Sequence, residues 1–104
     1  MLITTTDYVP GKEVAQIKGL VRGTCVQARW VGKDIRAAGR TLIGGEMKYY
    51  SELLTSSRDK ATKRMMDEAK RLGANAVINV RYQTSEVAQG SAEVLAYGTA
   101  VMLK

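Results

Sequence analysis

Residues 72–84 read Leu-Gly-Ala-Asn-Ala-Val-Ile-Asn-Val-Arg-Tyr-Gln-Thr, and the periodicity of the chain changes within this stretch. Upstream, apolar residues recur at the spacing of a helix and end at Leu72. Gly73 supplies the left-handed position at which helices commonly stop. From Ala76 onward the pattern has a period of two, which is typical of a half-buried strand. The stretch therefore predicts a helix that ends near Gly73 and a β-strand that follows it directly.

The predicted helix is long and carries one apolar stripe at helical spacing. The stripe consists of Tyr50, Leu54, Ala61, Met65, Ala69 and Leu72. A helix that starts near Met47 would be about 40 Å long at 1.5 Å per residue. The Thr55-Ser56-Ser57 cluster followed by Asp59 is also a capping signal, so a break near Thr55 is an alternative.

The N-terminal half predicts two strands. A short strand from about Leu2 to Thr6 is followed by a turn at Pro10-Gly11. A longer strand runs from Val14 to Trp30, with Gly19 and Gly23 interrupting one side, which predicts a bulge or a close backbone approach. One side of this strand carries Leu20, Val26, Ala28 and Trp30, and the other carries Ile17, Val21 and Cys25. Between this strand and the long helix, Asp34 can cap a short helix that Gly44-Gly45 would end.

The C-terminal segment predicts a hairpin and an oligomer. Gln89-Gly90-Ser91 provides the turn, and the last strand runs from about Ala92 to Leu103. Its two sides are Val94, Ala96, Ala100, Met102 and Leu95, Tyr97, Val101, Leu103. An antiparallel sheet usually leaves one face in water, yet both sides of this strand are apolar. We therefore expect a cover besides the helix, and a second copy of the chain is the simplest one.

The length predicts one small domain spanning residues 1–104, and the order of the predicted strands and helix predicts an α+β fold. Leu, Ile and Val total 23 of 104 residues and Phe is absent, so the core of a monomer would be modest. Cys25 is the single cysteine, which excludes an intramolecular disulfide and fits a reducing compartment. The start lacks the pattern of a signal peptide, and no apolar run approaches the roughly 20 residues of a membrane helix. We expect a cytoplasmic protein without membrane contact.

Several short motifs together suggest a known family. They are Ile3-Thr4-Thr5-Thr6, Gly19-Leu20-Val21-Arg22-Gly23, Asp34, Gly44-Gly45-Glu46, Tyr50 with Leu53-Leu54, Arg58, Ala61, Gly73-Ala74-Asn75-Ala76-Val77 and Gly98-Thr99-Ala100-Val101. In this combination the sequence resembles the YbjQ-like family of small prokaryotic proteins, which are sometimes described as heavy-metal-binding. The resemblance implies a dodecin-like β-α-β-β subunit with an antiparallel sheet, assembled into a homopentameric ring. It implies no established activity.

The charge balance suggests an anionic partner. The net charge is +6, with a pI near 9.7, which suits a polyanion. The candidate anion-binding residues are Arg29, Lys33, Arg36, Arg40, Gly44 and Gly45. Only Asp34 opposes these cations, and the glycines could expose backbone N–H groups to a small anionic ligand or a nucleic acid. Solvation, or contact with acidic residues of a neighbouring subunit, is the alternative.

The basic residues of the long helix favour an ordinary solvated surface, because acidic residues are interleaved with them. The predicted i,i+4 pairs are Asp59–Lys63, Lys63–Asp67, Arg64–Glu68 and Asp67–Arg71.

Metal binding and catalysis have little support in the residue types. The chain has no His, and Cys25 with Met65, Met66 or Met102 could at most offer soft sulfur to copper(I). A buried, apolar role for Cys25 is the alternative. A nucleophile would lack a histidine base, so we expect no enzyme and no cofactor. The sequence favours a homo-oligomer, which the family resemblance implies is a ring, that acts as a ligand-binding or scaffold module. The alternatives are a polyanion or nucleic-acid binder and a soft-metal binder.

Overall fold

The computed structural model describes residues 1–28, 45–88 and 91–104. Four strands and one helix lie in these ranges: β1 (Leu2–Ile3), β2 (Val14–Ala28), α1 (Gly45–Arg71), β3 (Ala76–Ala88) and β4 (Ser91–Leu103). The strands form one sheet in the order β1-β3-β4-β2. β4 is antiparallel to both β2 and β3, whereas β1 is parallel to β3. The fold is therefore α+β with a mixed sheet.

The expectation of a purely antiparallel sheet is wrong at β1. This strand covers only Leu2–Ile3, shorter than predicted, and pairs with Ala76 and Val77 of β3. Parallel pairing needs a long connection between the two strands, and β2 and α1 provide it. The predicted β3–β4 hairpin is confirmed by antiparallel pairing as far as Ala88 and Ser91.

Helix α1 is continuous through Thr55, so the alternative of a break there is wrong. The Thr55 hydroxyl donates to the Ser51 carbonyl at 3.0 Å, and the Ser57 hydroxyl donates to the Leu53 carbonyl at 2.9 Å. Both hydroxyls thus bond back to the preceding turn instead of capping a new helix.

The two ends of α1 differ in how well they were predicted. The helix begins at Gly45, which was expected to end a preceding short helix. At the other end, Gly73 has a positive φ of 82°, and the Ala74 N–H donates to the Ala69 carbonyl at 3.0 Å. The predicted glycine stop is confirmed. The short helix expected after Asp34 and the turn at Gln89-Gly90 lie outside the described residues.

The main core lies between α1 and the sheet. The helix contributes Ala61, Met65 and Ala69, and the sheet contributes Val21, Cys25, Val77, Val80, Val94, Ala96 and Ala100, all buried. At Gly23 the helix backbone comes so close that a Cβ would overlap the Ala61 carbonyl and the Met65 amide. The close approach predicted for this strand is therefore confirmed at Gly23.

A bulge in β2 places the residues before it on the opposite sheet face from the one that a regular alternation predicts. The pairing with β4 shifts between Ile17 and Gly19, and Gly19 has a φ of 127°. A one-residue insertion moves side chains to the opposite face. Ile17 is consequently 67% exposed, whereas Val21 is buried. The prediction that these two residues share a side is wrong, although the predicted bulge is confirmed.

A second bulge interrupts the alternation expected in β3. Pairing moves from Ile78 opposite Thr99 to Arg81 opposite Tyr97, and Asn79 has a φ of 54°. Asn tolerates this left-handed conformation better than most residues do. Val80 therefore packs toward the helix, away from Ile78, and the strict period of two fails here.

Candidate functional site

The anion site predicted from the sequence falls almost wholly outside the described residues. Its members there are Arg29, Lys33, Arg36, Arg40 and Gly44, and only the backbone of Gly45, the first residue of α1, is described. This site stays a prediction.

Cys25 lies in the core and not at a surface. Its residue is 3% exposed, and the Gln27 amide approaches its Sγ at 3.7 Å. Met65 belongs to the same buried cluster and Met66 packs against it, but Met102 does not. Within the described ranges, no group of three or more His, Cys, Asp or Glu residues is placed to hold a metal ion. The donors needed for a metal site are not gathered in this part of the chain.

The charged surface of α1 is only partly as predicted. Lys63 and Asp67 form the expected i,i+4 pair at 3.0 Å. Arg71 pairs instead with Glu68, three residues away, at 2.8 Å. These two are the ion pairs found among the described residues, and their side chains are largely exposed, so they contribute little to stability.

The outer edge of β2 is one feature that could carry function. β2 is the last strand of the sheet, and its outer side has no strand partner within the described ranges. The Arg64 guanidinium crosses this edge and donates to the Thr24 carbonyl at 2.6 Å. Because the N–H and C=O of one strand residue point to the same side, the peptide groups of Thr24 face outward. At this point of the edge the Thr24 carbonyl is bonded to Arg64, whereas the Thr24 N–H has no backbone partner outside β4 among the described residues.

The outer edge of β3 is covered at its start and free further along. The Val80 N–H donates to the Thr4 carbonyl at 3.0 Å, and Arg81 donates to the Thr5 carbonyl at 2.9 Å. Beyond Arg81 no described segment pairs with this edge. Since peptide groups alternate along a strand, Thr84 faces the same edge as Val80. Within residues 1–28, 45–88 and 91–104, the sheet thus has a stretch of strand edge without a strand partner on each of its two sides.

The sheet face opposite α1 carries a shallow cleft. Its volume is about 240 Å³, and it is lined by Leu20, Arg22, Gln83, Leu95 and Tyr97. Arg22 and Arg81 both lie opposite Tyr97, one on each neighbouring strand, so the three residues form one row across the sheet. We call this cleft and row the open-face site. Sequence reasoning missed it, because the strand register depends on both bulges.

No helix in the described part of the chain is both long and apolar enough to cross a membrane.

These features define a small α+β domain with one helix-covered sheet face and two free strand edges in its described part. Residues 1–104 match the YbjQ family, described as "Putative heavy-metal-binding", and the chain belongs to this family. A UPF0145 protein of Thermosipho africanus is 54% identical over 104 residues, covering 100% of this chain and 96% of that protein. A UPF0145 protein of Vibrio parahaemolyticus is 45% identical over 103 residues, covering 99% and 98%. The resemblance inferred from the motifs is confirmed.

A solved structure supports the fold. The crystal structure of a protein of unknown function from Pediococcus pentosaceus, assigned to the DUF74 family, matches with a TM-score of 0.68. The two chains are 19% identical, and the match covers 100% of this chain and 98% of the other. At this identity the likeness concerns the fold alone.

The family description raises the question of whether the residues of this chain fit a heavy metal. The chain has no His and one Cys, and that Cys is buried in the core beneath α1. Soft metals prefer thiolate and imidazole ligands. The described residues therefore do not fit such a site, and no metal chemistry is derived from them.

Proposed function

We propose that this protein works as a ring-forming module, in which copies of the chain join edge to edge and present the sheet for ligand binding or as a scaffold. The observation that carries this proposal is the pair of backbone edges, on β2 and on β3 at opposite sides of one sheet, that have no strand partner in the described part of the chain. Unpaired edges are a liability that proteins normally cover or pair. The resemblance to the YbjQ family implies five subunits.

The shape of the single chain supports a partner. Its radius of gyration is 17.0 Å, whereas a compact domain of this length has about 13 Å. Its accessible surface is 6684 Å², against about 5,800 Å² for a compact monomer of this mass. Leu20 and Val26 are 66% and 56% exposed on the face opposite α1.

The two edges favour a ring over a two-fold dimer. β2 and β3 are both antiparallel to β4, so they run parallel to each other at opposite sides of the sheet. If the β2 edge of one copy pairs with the β3 edge of the next, the same junction repeats from copy to copy, and it forms a ring where the rotation between copies closes. Each junction would be a parallel pairing with evenly spaced, slanted hydrogen bonds.

Proline at either edge tests this arrangement. Thr24→Pro removes one outward N–H from β2, and Thr84→Pro does the same on β3, without touching the bonds to β4. Thr24→Val and Thr84→Val are the matched controls, because they keep the branched shape and the N–H. Light scattering at micromolar concentration should give about 57 kDa for the wild type and the Val variants, five times the 11.4 kDa of the chain. Each Pro variant alone should be a monomer.

Mixing the two Pro variants distinguishes a head-to-tail junction from a two-fold junction. Each retains the edge that the other has lost, so a head-to-tail junction predicts a heterodimer of about 23 kDa, twice 11.4 kDa. A two-fold junction would use the same edge on both copies and would give no such dimer. A wild type that stays monomeric, or Pro variants that still form the ring with native circular dichroism, would contradict the proposal.

A further inference from the structure

The open-face site combines apolar walls with unpaired positive charge. Leu20 and Leu95 form its apolar part, and Arg22, Gln83 and Tyr97 supply a guanidinium, an amide and a phenol. Guanidinium groups recognise carboxylates through two parallel hydrogen bonds. Amide and phenol groups can donate further bonds to the same oxygen atoms.

The charges around this site are uncompensated among the described residues. Both ion pairs found there lie on α1, far from Arg22 in the sequence. On the same sheet face, the nearest acidic residue along β4 is Glu93, four residues from Tyr97. At about 3.3 Å per residue, that is roughly 13 Å from the row. Among the described residues, Arg22 therefore forms no ion pair with a carboxylate.

Arg81 adds a second positive charge that is held in place. Its Nη1 donates to the carbonyls of Thr5 and Val80, both at 2.9 Å. These bonds fix the guanidinium at the edge of the row that contains Tyr97. An anion near Tyr97 would lie between Arg22 and Arg81, because β2 and β3, which carry these two residues, are the strands on either side of β4. Adjacent strands are about 4.8 Å apart.

We propose that the open-face site binds a small organic carboxylate with an apolar body, the size of an aryl carboxylate. Arg22 would bind the carboxylate, Gln83 and Tyr97 would orient it, and Leu20 and Leu95 would contact the apolar body. The volume of about 240 Å³ is below that of typical drug-sized pockets, which restricts the ligand to a small one. All lining residues belong to one chain, so the proposal goes beyond the ring and does not depend on it.

NMR titration with benzoate tests the proposal, because a ligand of about ten heavy atoms on an open surface is expected to bind with a Kd near the millimolar range. Chemical-shift changes should cluster on Leu20, Arg22, Gln83, Leu95 and Tyr97. Benzamide, which has the same shape without the charge, should bind at least about fivefold more weakly. Light scattering on the same samples records the assembly state, so that failure of the ring and failure of the site are distinguished.

Two variants of equal net charge distinguish specific binding at the open-face site from general electrostatic attraction to a basic protein. Arg22→Gln removes the carboxylate partner and should weaken benzoate binding about tenfold or more, the effect of losing a charge-assisted hydrogen bond. Arg58→Gln removes one charge from the exposed surface of α1 and should leave the Kd within about twofold. Equal weakening by both variants, or equal binding of benzamide and benzoate, would overturn the proposal. So would shifts at these residues with a short RNA but none with benzoate.

Discussion

Replacing Gly23 with alanine should destabilise the protein through one added methyl group. A Cβ at this position would overlap the Ala61 carbonyl and the Met65 amide and would lie 2.9 Å from the Arg64 Cβ. Two of these three atoms belong to the helix backbone, so no side-chain rotation relieves the contact. Helix α1 would have to move away from β2 by at least about 1 Å, since a Cβ essentially never lies closer than 3.0 Å to another heavy atom.

The expected loss of stability in Gly23→Ala depends on the buried side chains that α1 packs against the sheet. Overfilling a packed core costs about 1–3 kcal/mol. A gap of about 1 Å also forfeits up to half of the dispersion energy of the contacts that it opens. Met65 is 0% exposed, and burial of such a side chain is worth about 1.5–3 kcal/mol, so the gap adds about 1 kcal/mol. The total of about 2–4 kcal/mol lowers the melting temperature by roughly 10–20 °C for a domain of this size.

Thermal denaturation followed by circular dichroism, at one fixed protein concentration, measures the effect. Gly11→Ala is the matched control, because a Cβ there meets nothing within 4 Å and only its φ of 78° opposes alanine. That conformational cost is about 1 kcal/mol, or roughly 5 °C. If Gly23→Ala melts within about 3 °C of the wild type, or no lower than Gly11→Ala, the close packing inferred at Gly23 is refuted.

Two other substitutions probe the C-terminal end of the sheet and the cysteine. The Asn75 side chain donates to the Leu103 carbonyl at 3.0 Å and accepts from the Leu103 N–H at 2.7 Å, so Asn75→Ala should cost about 1–3 kcal/mol in urea unfolding. A loss below about 0.5 kcal/mol would show that these two hydrogen bonds contribute little to stability. Cys25→Ser places a hydroxyl in the core and should cost about 1–2 kcal/mol, with no stoichiometric copper or zinc in either protein by elemental analysis. Stoichiometric metal in the wild type that is lost in Cys25→Ser would reverse the assignment of Cys25 to the core.

The elements that the sequence predicted well are those that depend on local pattern. The helix stop at Gly73 and the buried positions Ala61, Met65 and Ala69 follow from helical spacing alone. The capping signal at Thr55 misled because a hydroxyl within a helix can bond back to the preceding turn just as it can cap a new one. Sequence spacing does not distinguish these two uses.

The open-face site could not be predicted because it depends on pairing between distant strands. Arg22 and Gln83 lie 61 positions apart and come together only through their register with β4. That register is shifted by one bulge near Gly19 and another at Asn79. A glycine inside a strand signals the first bulge, but nothing in the alternation marks Asn79, whose positive φ is a property of the folded chain.

Both bulges act on the same short part of β4, and this explains where the functional candidates lie. Gly19 pairs with Ala100, and the shift in β3 falls opposite Gly98, so the sheet is disturbed on both sides of one segment. Before the bulges, the face opposite α1 is closed by a small core that includes Val9 and Val101. On the other side of the bulges, the same face carries the cleft. There, the N-terminal segment no longer bonds to the outer edge of β3. Since bulges bend strands and increase their twist, they separate a half of the sheet that is covered on this face from a half whose edges and face are uncovered among the described residues.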